Sequence, residues 1–150
     1  MVTSRLEHIA YNVSDMEAMA DWYCTHIAML KVRHDPGRKL FLADHTKVVV
    51  LELYSNPAKP MIDLAATTSA AMHIAFVVDD MHAAVEALIA AGATVETPSA
   101  DNAGDTPAML RDPFGLVLQL VERMEALLES LLEVGLRRTQ LIDERYIHAY

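Results

Sequence analysis

Apolar and polar residues alternate from Leu6 to Val13, which is the period of a half-buried strand. Ser14-Asp15-Met16-Glu17 follows and fits a capping box, with Ser14 as N-cap and Glu17 reaching back to it. Met19, Trp22, Tyr23, His26, Ile27 and Leu30 then recur at helical spacing. Three further strands are expected at 29–34, 39–43 and 47–54. The second half repeats this order. A strand is expected at 71–78, then a helix at 80–91 capped by Asp79 and stopped by Gly92. Strands follow at 93–97, 106–111 and 115–121, with Asp112-Pro113-Phe114-Gly115 as a turn between the last two.

The two halves are also alike in letters. Residues 8–18 read HIAYNVSDMEA and residues 73–83 read HIAFVVDDMHA, identical at seven of eleven positions. VLEL at 50–53 returns as VLQL at 117–120. Two matches in the same order at nearly the same offset mark a duplicated unit. The expected class is α+β, with two tandem βαβββ modules at about 5–54 and 71–122. Residues 55–70, with Pro57 and Pro60, form the linker. Together 1–122 make one domain. Residues 123–150 are an addition. There Met124, Leu127, Leu128, Leu131 and Leu132 lie at i, i+3, i+4, i+7 and i+8, the stripe of an amphipathic helix. The helix is expected to cover its own sheet or a second subunit. Leu141, Ile142, Tyr146, Ile147 and Tyr150 in the tail favour docking over disorder.

Strand alternation sorts the polar groups by face. Ile9, Tyr11 and Val13 form the apolar side of the first strand, leaving His8, Ala10 and Asn12 on the other. Ile74, Phe76 and Val78 leave His73 and Ala75. Val49, Leu51 and Leu53 leave Glu52 with Val50 and Tyr54. Leu116, Leu118 and Leu120 leave Gln119 with Val117 and Val121. Each module thus offers one imidazole and one carboxyl or carboxamide on the face without a helix. Singly, each has an ordinary structural reading: a hydrogen-bonded histidine, an edge-strand glutamate, a polar plug. Their matched positions favour a shared site. Two nitrogens and two oxygens suit a borderline divalent cation such as Zn, Ni, Co, Fe or Mn. Asn12, Tyr54, Met109 and Arg111 are the candidate substrate-binding residues. His26, at apolar spacing on the helix, reads as a boundary residue, His34 and His45 near strand ends as surface residues, His82 and His148 have no spaced partner, and Cys24 reads as a packing residue.

Composition narrows the partners. The 150 residues carry 12 Lys and Arg against 21 Asp and Glu, a formal charge of −9. Nucleic acid and anionic membranes are therefore not expected partners. One cysteine excludes an intramolecular disulfide framework and a cysteine-based zinc finger. The start of the chain lacks a signal-peptide pattern and no stretch is long enough to span a membrane, so the expected location is cytoplasmic.

The duplicated βαβββ pattern, with His8, Glu52 and His73 on its strands and the ending DPFGLVLQL, resembles the vicinal oxygen chelate superfamily. This family includes glyoxalase I, methylmalonyl-CoA epimerase, fosfomycin-modifying transferases, extradiol dioxygenases and bleomycin-resistance proteins. The resemblance spans about residues 5–122. It implies a cup-shaped mixed sheet with helices outside, a metal in the cup, a small substrate with two adjacent oxygens, and a homodimer whose halves can share a cup. It implies His8, Glu52, His73 and Gln119 as ligands. Gln119 departs from the usual glutamate, and glutamine cannot take a proton. An epimerase-like set of two His, one Gln and one Glu is kept, with Glu and Gln exchanged between modules. Glu52 is then the candidate catalytic base of a lyase, isomerase or epimerase working through an enediolate or enolate. Two alternatives stand beside this. One is an Fe(II) oxygenase of the extradiol kind using His8, His73 and Glu52. The other is a metal-free ligand-sequestering protein, against which the retained His8, Glu52 and His73 argue.

Overall fold

The computed structural model describes Ser4 and residues 6–97 and 108–123. The expected C-terminal helix and tail, His148 included, lie outside the described residues beyond Arg123. The elements run β1 (His8–Asn12), α1 (Met16–His26), β2 (Leu30–Asp35), β3 (Lys39–Ala43), β4 (Val50–Tyr54), β5 (Ile74–Val77), α2 (Met81–Ala90), β6 (Thr94–Thr97), β7 (Ala108–Arg111) and β8 (Val117–Val121). That is βαβββ twice. Each set forms a four-stranded mixed sheet, ordered β1-β4-β3-β2 and β5-β8-β7-β6. The β1/β4 and β5/β8 pairs are parallel and the others antiparallel.

Equivalent bonds close each module. The backbone N–H of Val13 donates to the Tyr54 carbonyl, and that of Val78 to the Val121 carbonyl, both at 2.9 Å. Each helix's first N–H donates to the residue after the last strand: Met16 to Ser55 Oγ, and Met81 to Glu122 Oε2, both at 3.0 Å.

Several boundaries move. The N-caps are Asp15 and Asp80, not Ser14 and Asp79, and each carboxylate accepts from the N–H three residues on. Adjacent cap-competent residues compete at both sites, and Asp adds a negative charge facing the positive helix end. Glu17, freed from the expected box, pairs with His34 Nε2 at 2.6 Å. Strand β4 starts at Val50 rather than 47. Asp44 Oδ1 accepts from the Thr46 and Lys47 N–H groups, and this Asx turn delays the strand. Val49 therefore lies outside β4 and is exposed. Ile9 is also exposed, at the rim of its sheet, while Tyr11 and Val13 further along join the core. Leu30 falls in β2 and is exposed, since α1 ends at His26. Gly92 follows α2 with φ +96, as the expected stop signal requires.

One core joins the modules. Met19, Ala20 and Tyr23 of α1 pack with Leu40, Leu42 and Leu53 of the first sheet and with Leu116 and Leu118 beside β8 and within it. Leu88, Leu110 and Leu120 form a smaller cluster, and Trp22, Ile27 and Phe76 touch both. Each fully buried Leu stabilises the fold by roughly 1.5–3 kcal/mol. The helix-facing sides of both sheets thus share a core, and by alternation their other faces look away from it. Cys24 packs at the margin of this core, as expected.

Candidate functional site

The open face of the first sheet gathers His8, Glu52, Lys39 and Phe41. Alternation along β4 buries Leu51 and Leu53 and turns Glu52 outward, where its side chain is still only 14% exposed. Sheet register sets Ala10 on one side of Glu52 and Phe41 on the other. His8 Nε2 lies 3.1 Å from Glu52 Oε2, and Lys39 Nζ lies 3.3 Å from Glu52 Oε1. The carboxylate therefore has a cationic or imidazole partner on each oxygen. The His8 Nδ1 atom is 2.9 Å from Glu7 Oε2, which orients the ring. Phe41 supports the group: His8 meets it edge-on at 6.2 Å and Lys39 Nζ lies 5.0 Å above it.

In the second module Gln119 lies in β8, while His73 stands one residue before β5, which starts at Ile74 rather than 71. Ala75 stands opposite Gln119, as Ala10 stands opposite Glu52, and each histidine lies two residues before its alanine. His73 Nδ1 is 2.9 Å from the Ser69 carbonyl, so Nδ1–H donates to it and Nε2 is left as the acceptor nitrogen. Both histidines thus have Nδ1 held by an oxygen, the arrangement common to metal-ligating histidines.

The donor set fits a metal in halves. Two ligands each about 2.0–2.2 Å from one ion lie about 3 Å apart at the right angle of octahedral or tetragonal coordination and about 3.4 Å apart at the tetrahedral angle. The 3.1 Å His8–Glu52 separation falls near that spacing and is equally the length of a hydrogen bond between them. Gln119 lies on the side of β8 opposite Leu118 and Leu120 and is partly buried between the buried Val117 and Val121, and His73 stands just before β5. Among the described residues, no group of three or more His, Cys, Asp and Glu could hold a metal ion.

The candidate substrate residues have structural work. Asn12 Nδ2 donates to the carbonyls of Asn56, Lys59 and Pro60, and its Oδ1 accepts from the Asn56 N–H. Arg111 donates to the carbonyls of Leu64, Gly115 and Thr67 and pairs with Glu96. The two side chains strap down opposite ends of the linker. Tyr54 lines the cleft beside Glu52. Met109 stands opposite Gln119.

His34 and His82 pair with nearby glutamates on the surface, and the His26 ring lies tilted against Trp22 at 5.4 Å. His45 is exposed beyond β3. Lys39, Phe41, Glu7 and Ser69 were not among the sequence candidates. The period-two pattern of β3 puts Lys39 and Phe41 on Glu52's face and could have found them. Glu7 and Ser69 act from outside the strands, where alternation gives no guide.

Comparison with known proteins agrees with this architecture. A probable lactoylglutathione lyase of Vibrio parahaemolyticus is 27% identical over 135 residues, covering 84% of this chain and 96% of that protein. The crystal structure of TnmS3, an antibiotic binding protein from Streptomyces sp. CB03234, aligns with a TM-score of 0.62 at 24% identity, over 82% of this chain and 98% of that one. An E144Q glyoxalase I mutant from Zea mays aligns with a TM-score of 0.63 at 23% identity, over 81% of this chain but 46% of that one. The model of the Glyoxalase/Bleomycin resistance protein/Dioxygenase superfamily matches residues 5–120, and the chain belongs to that superfamily.

Proposed function

We propose that this protein is a metal-dependent, glyoxalase-like enzyme, a lyase, isomerase or epimerase acting on a small substrate with two adjacent oxygens. The carrying observation is the His8 Nε2–Glu52 Oε2 pair at 3.1 Å, with His73 and Gln119 at the matched positions of the second module. His8 and Glu52 of one chain, with His73 and Gln119 of a second copy, would hold a divalent ion such as Zn, Ni, Co, Fe or Mn. A second copy is invoked because the two open faces of one chain look away from a shared core. Strands β1 and β5, at the rims of their sheets, give each copy an edge for the other. The cytoplasm is the proposed location.

A bound ion supplies a Lewis acid beside the substrate's oxygens. Glu52 moves a proton at the carbon next to the substrate carbonyl, being the ionisable carboxylate of the four groups. Lys39 holds Oε1 and leaves Oε2 toward His8, which fixes the carboxylate's orientation. Tyr54 lines the approach. The name of the Vibrio relative supports the lyase form of this reading.

A second reading is a metal-free binding protein. Lys39 favours it, since its ammonium gives Glu52 a countercharge within one chain. Elemental analysis of purified protein, followed by turnover assays on thiohemiacetals, 2-methyl-3-oxoacyl thioesters and catechols, separates the readings. One ion per chain and thiohemiacetal or thioester turnover supports the first. Tightly held iron with catechol cleavage points to an oxygenase. Protein that takes up no ion supports the binding protein.

A further inference from the structure

An open cleft of about 490 Å³ adjoins Glu52, bounded by Gly37, Arg38, Lys39, Tyr54 and Asn56. Its charge runs against that of the chain. The protein is formally −9, yet this wall carries two cations and one carboxylate. Lys39 spends one of its three donors on Glu52 and keeps two. Asp35, at the start of the hairpin turn, is taken by Arg33, whose Nη2 and Nε lie 2.9 and 3.3 Å from its two oxygens. Arg38 has no carboxylate partner among the described residues. A tight turn fixes its place: the Arg38 N–H donates to the Asp35 carbonyl at 3.0 Å, with Gly37 at φ +69.

We propose that this cleft is a subsite for an anionic substituent of the substrate, a carboxylate or a phosphate, gripped by Arg38 and Lys39. The inference rests on the proposed reading of Glu52 as part of the substrate site. A planar guanidinium offers paired donors matched to either group, and an ammonium adds a point charge. The anion balances the positive charge left after Glu52 is paired. Substrates with a charged arm next to the reacting carbon are then favoured over neutral ones of the same size.

The test uses the full chain, isotope-labelled and stripped of metal with EDTA, titrated with succinate, methyl phosphate and uncharged succinamide. Both anions are expected to shift the backbone amide signals of Gly37, Arg38, Lys39, Ser55 and Asn56, and succinamide is not. Arg38→Ala should weaken anion binding about tenfold, equivalent to about 1.4 kcal/mol. Lys39→Gln should do the same. Unchanged signals from the core would show that both variants are folded. Tighter methyl phosphate binding assigns a phosphate arm and tighter succinate binding a carboxylate, and either supports the subsite. Equal shifts with succinamide, silent cleft amides, or anion binding that survives Arg38→Ala would overturn it. Because the titration is metal-free, its failure leaves the metal reading intact, and a protein lacking metal leaves this subsite intact.

Discussion

The Tyr23 hydroxyl donates to Asp112 Oδ2 at 2.8 Å, tying α1 of the first module to the turn before β8 of the second. Both residues are buried. Asp112 also organises its own turn, with Oδ1 accepting from the Phe114 and Leu116 N–H groups at 2.9 and 2.8 Å. Burial pushes the Asp112 carboxyl above its ordinary range, although bonds from Tyr23, Leu116, Phe114 and Gly115 pull the other way. Burial and the neighbouring Asp112 push the Tyr23 hydroxyl well up.

Asp112→Ala should destabilise the protein by about 3 kcal/mol, since it leaves the Leu116 N–H and the Tyr23 hydroxyl buried without an acceptor. Asp112→Asn should cost less, because the amide oxygen can serve the turn. The pH dependence has a definite sign. A carboxyl with a raised native pKa binds its proton more tightly when folded. Its contribution is complete below about 3.9, the unfolded value, and is lost as pH rises through the native one. The stability of wild type relative to Asp112→Asn should therefore fall as pH rises from about 4. Urea midpoints from pH 4 to 7 check this, and a flat difference would refute the account.

Gly115→Ala should also destabilise, by about 2 kcal/mol or more. Gly115 has φ +95, and a Cβ there would lie 2.7 Å from the Ala65 backbone nitrogen. The linker would have to lift from the Asp112 turn, straining the Arg111 bond to the Leu64 carbonyl. Thermal unfolding measures the loss. Gly37→Ala is the control: it shares the positive φ but has nothing within 4 Å, so it should lose less.

Much of this arrangement was legible because it is periodic. Alternation separated Leu51 and Leu53 from Glu52, and the repeat aligned His8 with His73. Aperiodic features were hidden. Ser14 and Asp15 are both competent caps, and only the folded chain decides between them. Nothing local in Asn12 or Arg111 signals that they fasten a linker tens of residues away. The core shared by Tyr23 and Leu118 was equally unreadable, since a period names a face but not its partner. A period also does not say how near the His8 and His73 positions come to each other, and among the described residues no group of three or more His, Cys, Asp and Glu could hold a metal ion.

If two copies complete each site, His8→Ala and His73→Ala should each lose bound metal, and mixing them should restore part of it. In a symmetric dimer, the mixed pair combines an intact His8 with an intact His73 at one of its two sites. With full subunit exchange, the mixture should hold about a quarter of wild-type metal, against almost none for either variant alone. Elemental analysis after co-refolding reads this directly. Full metal in either single variant would remove that histidine from the ligand set, and no recovery on mixing would argue against sharing between copies.

Glu52 and Gln119 occupy equivalent positions but differ in their chemistry. Only the carboxylate can accept a proton at neutral pH. Glu52→Gln should keep the fold, because the side chain remains mostly buried among His8, Lys39 and Phe41 and loses no volume. Its amide oxygen can still face Lys39 or an ion. Turnover should nevertheless fall on the order of a hundredfold or more, the usual scale for a removed general base. Gln119→Glu should be tolerated, since Gln119 is only partly buried. The double exchange, Glu52→Gln with Gln119→Glu, separates base identity from ligand count, because it conserves the set of two His, one Gln and one Glu. Recovered turnover would mean that either module can supply the base. Persistent loss beside normal metal content would tie proton transfer to Glu52 and its own setting, where Phe41 is the β3 residue opposite it and Met109 is the β7 residue opposite Gln119. Full turnover in the Glu52→Gln single variant would sink the assignment.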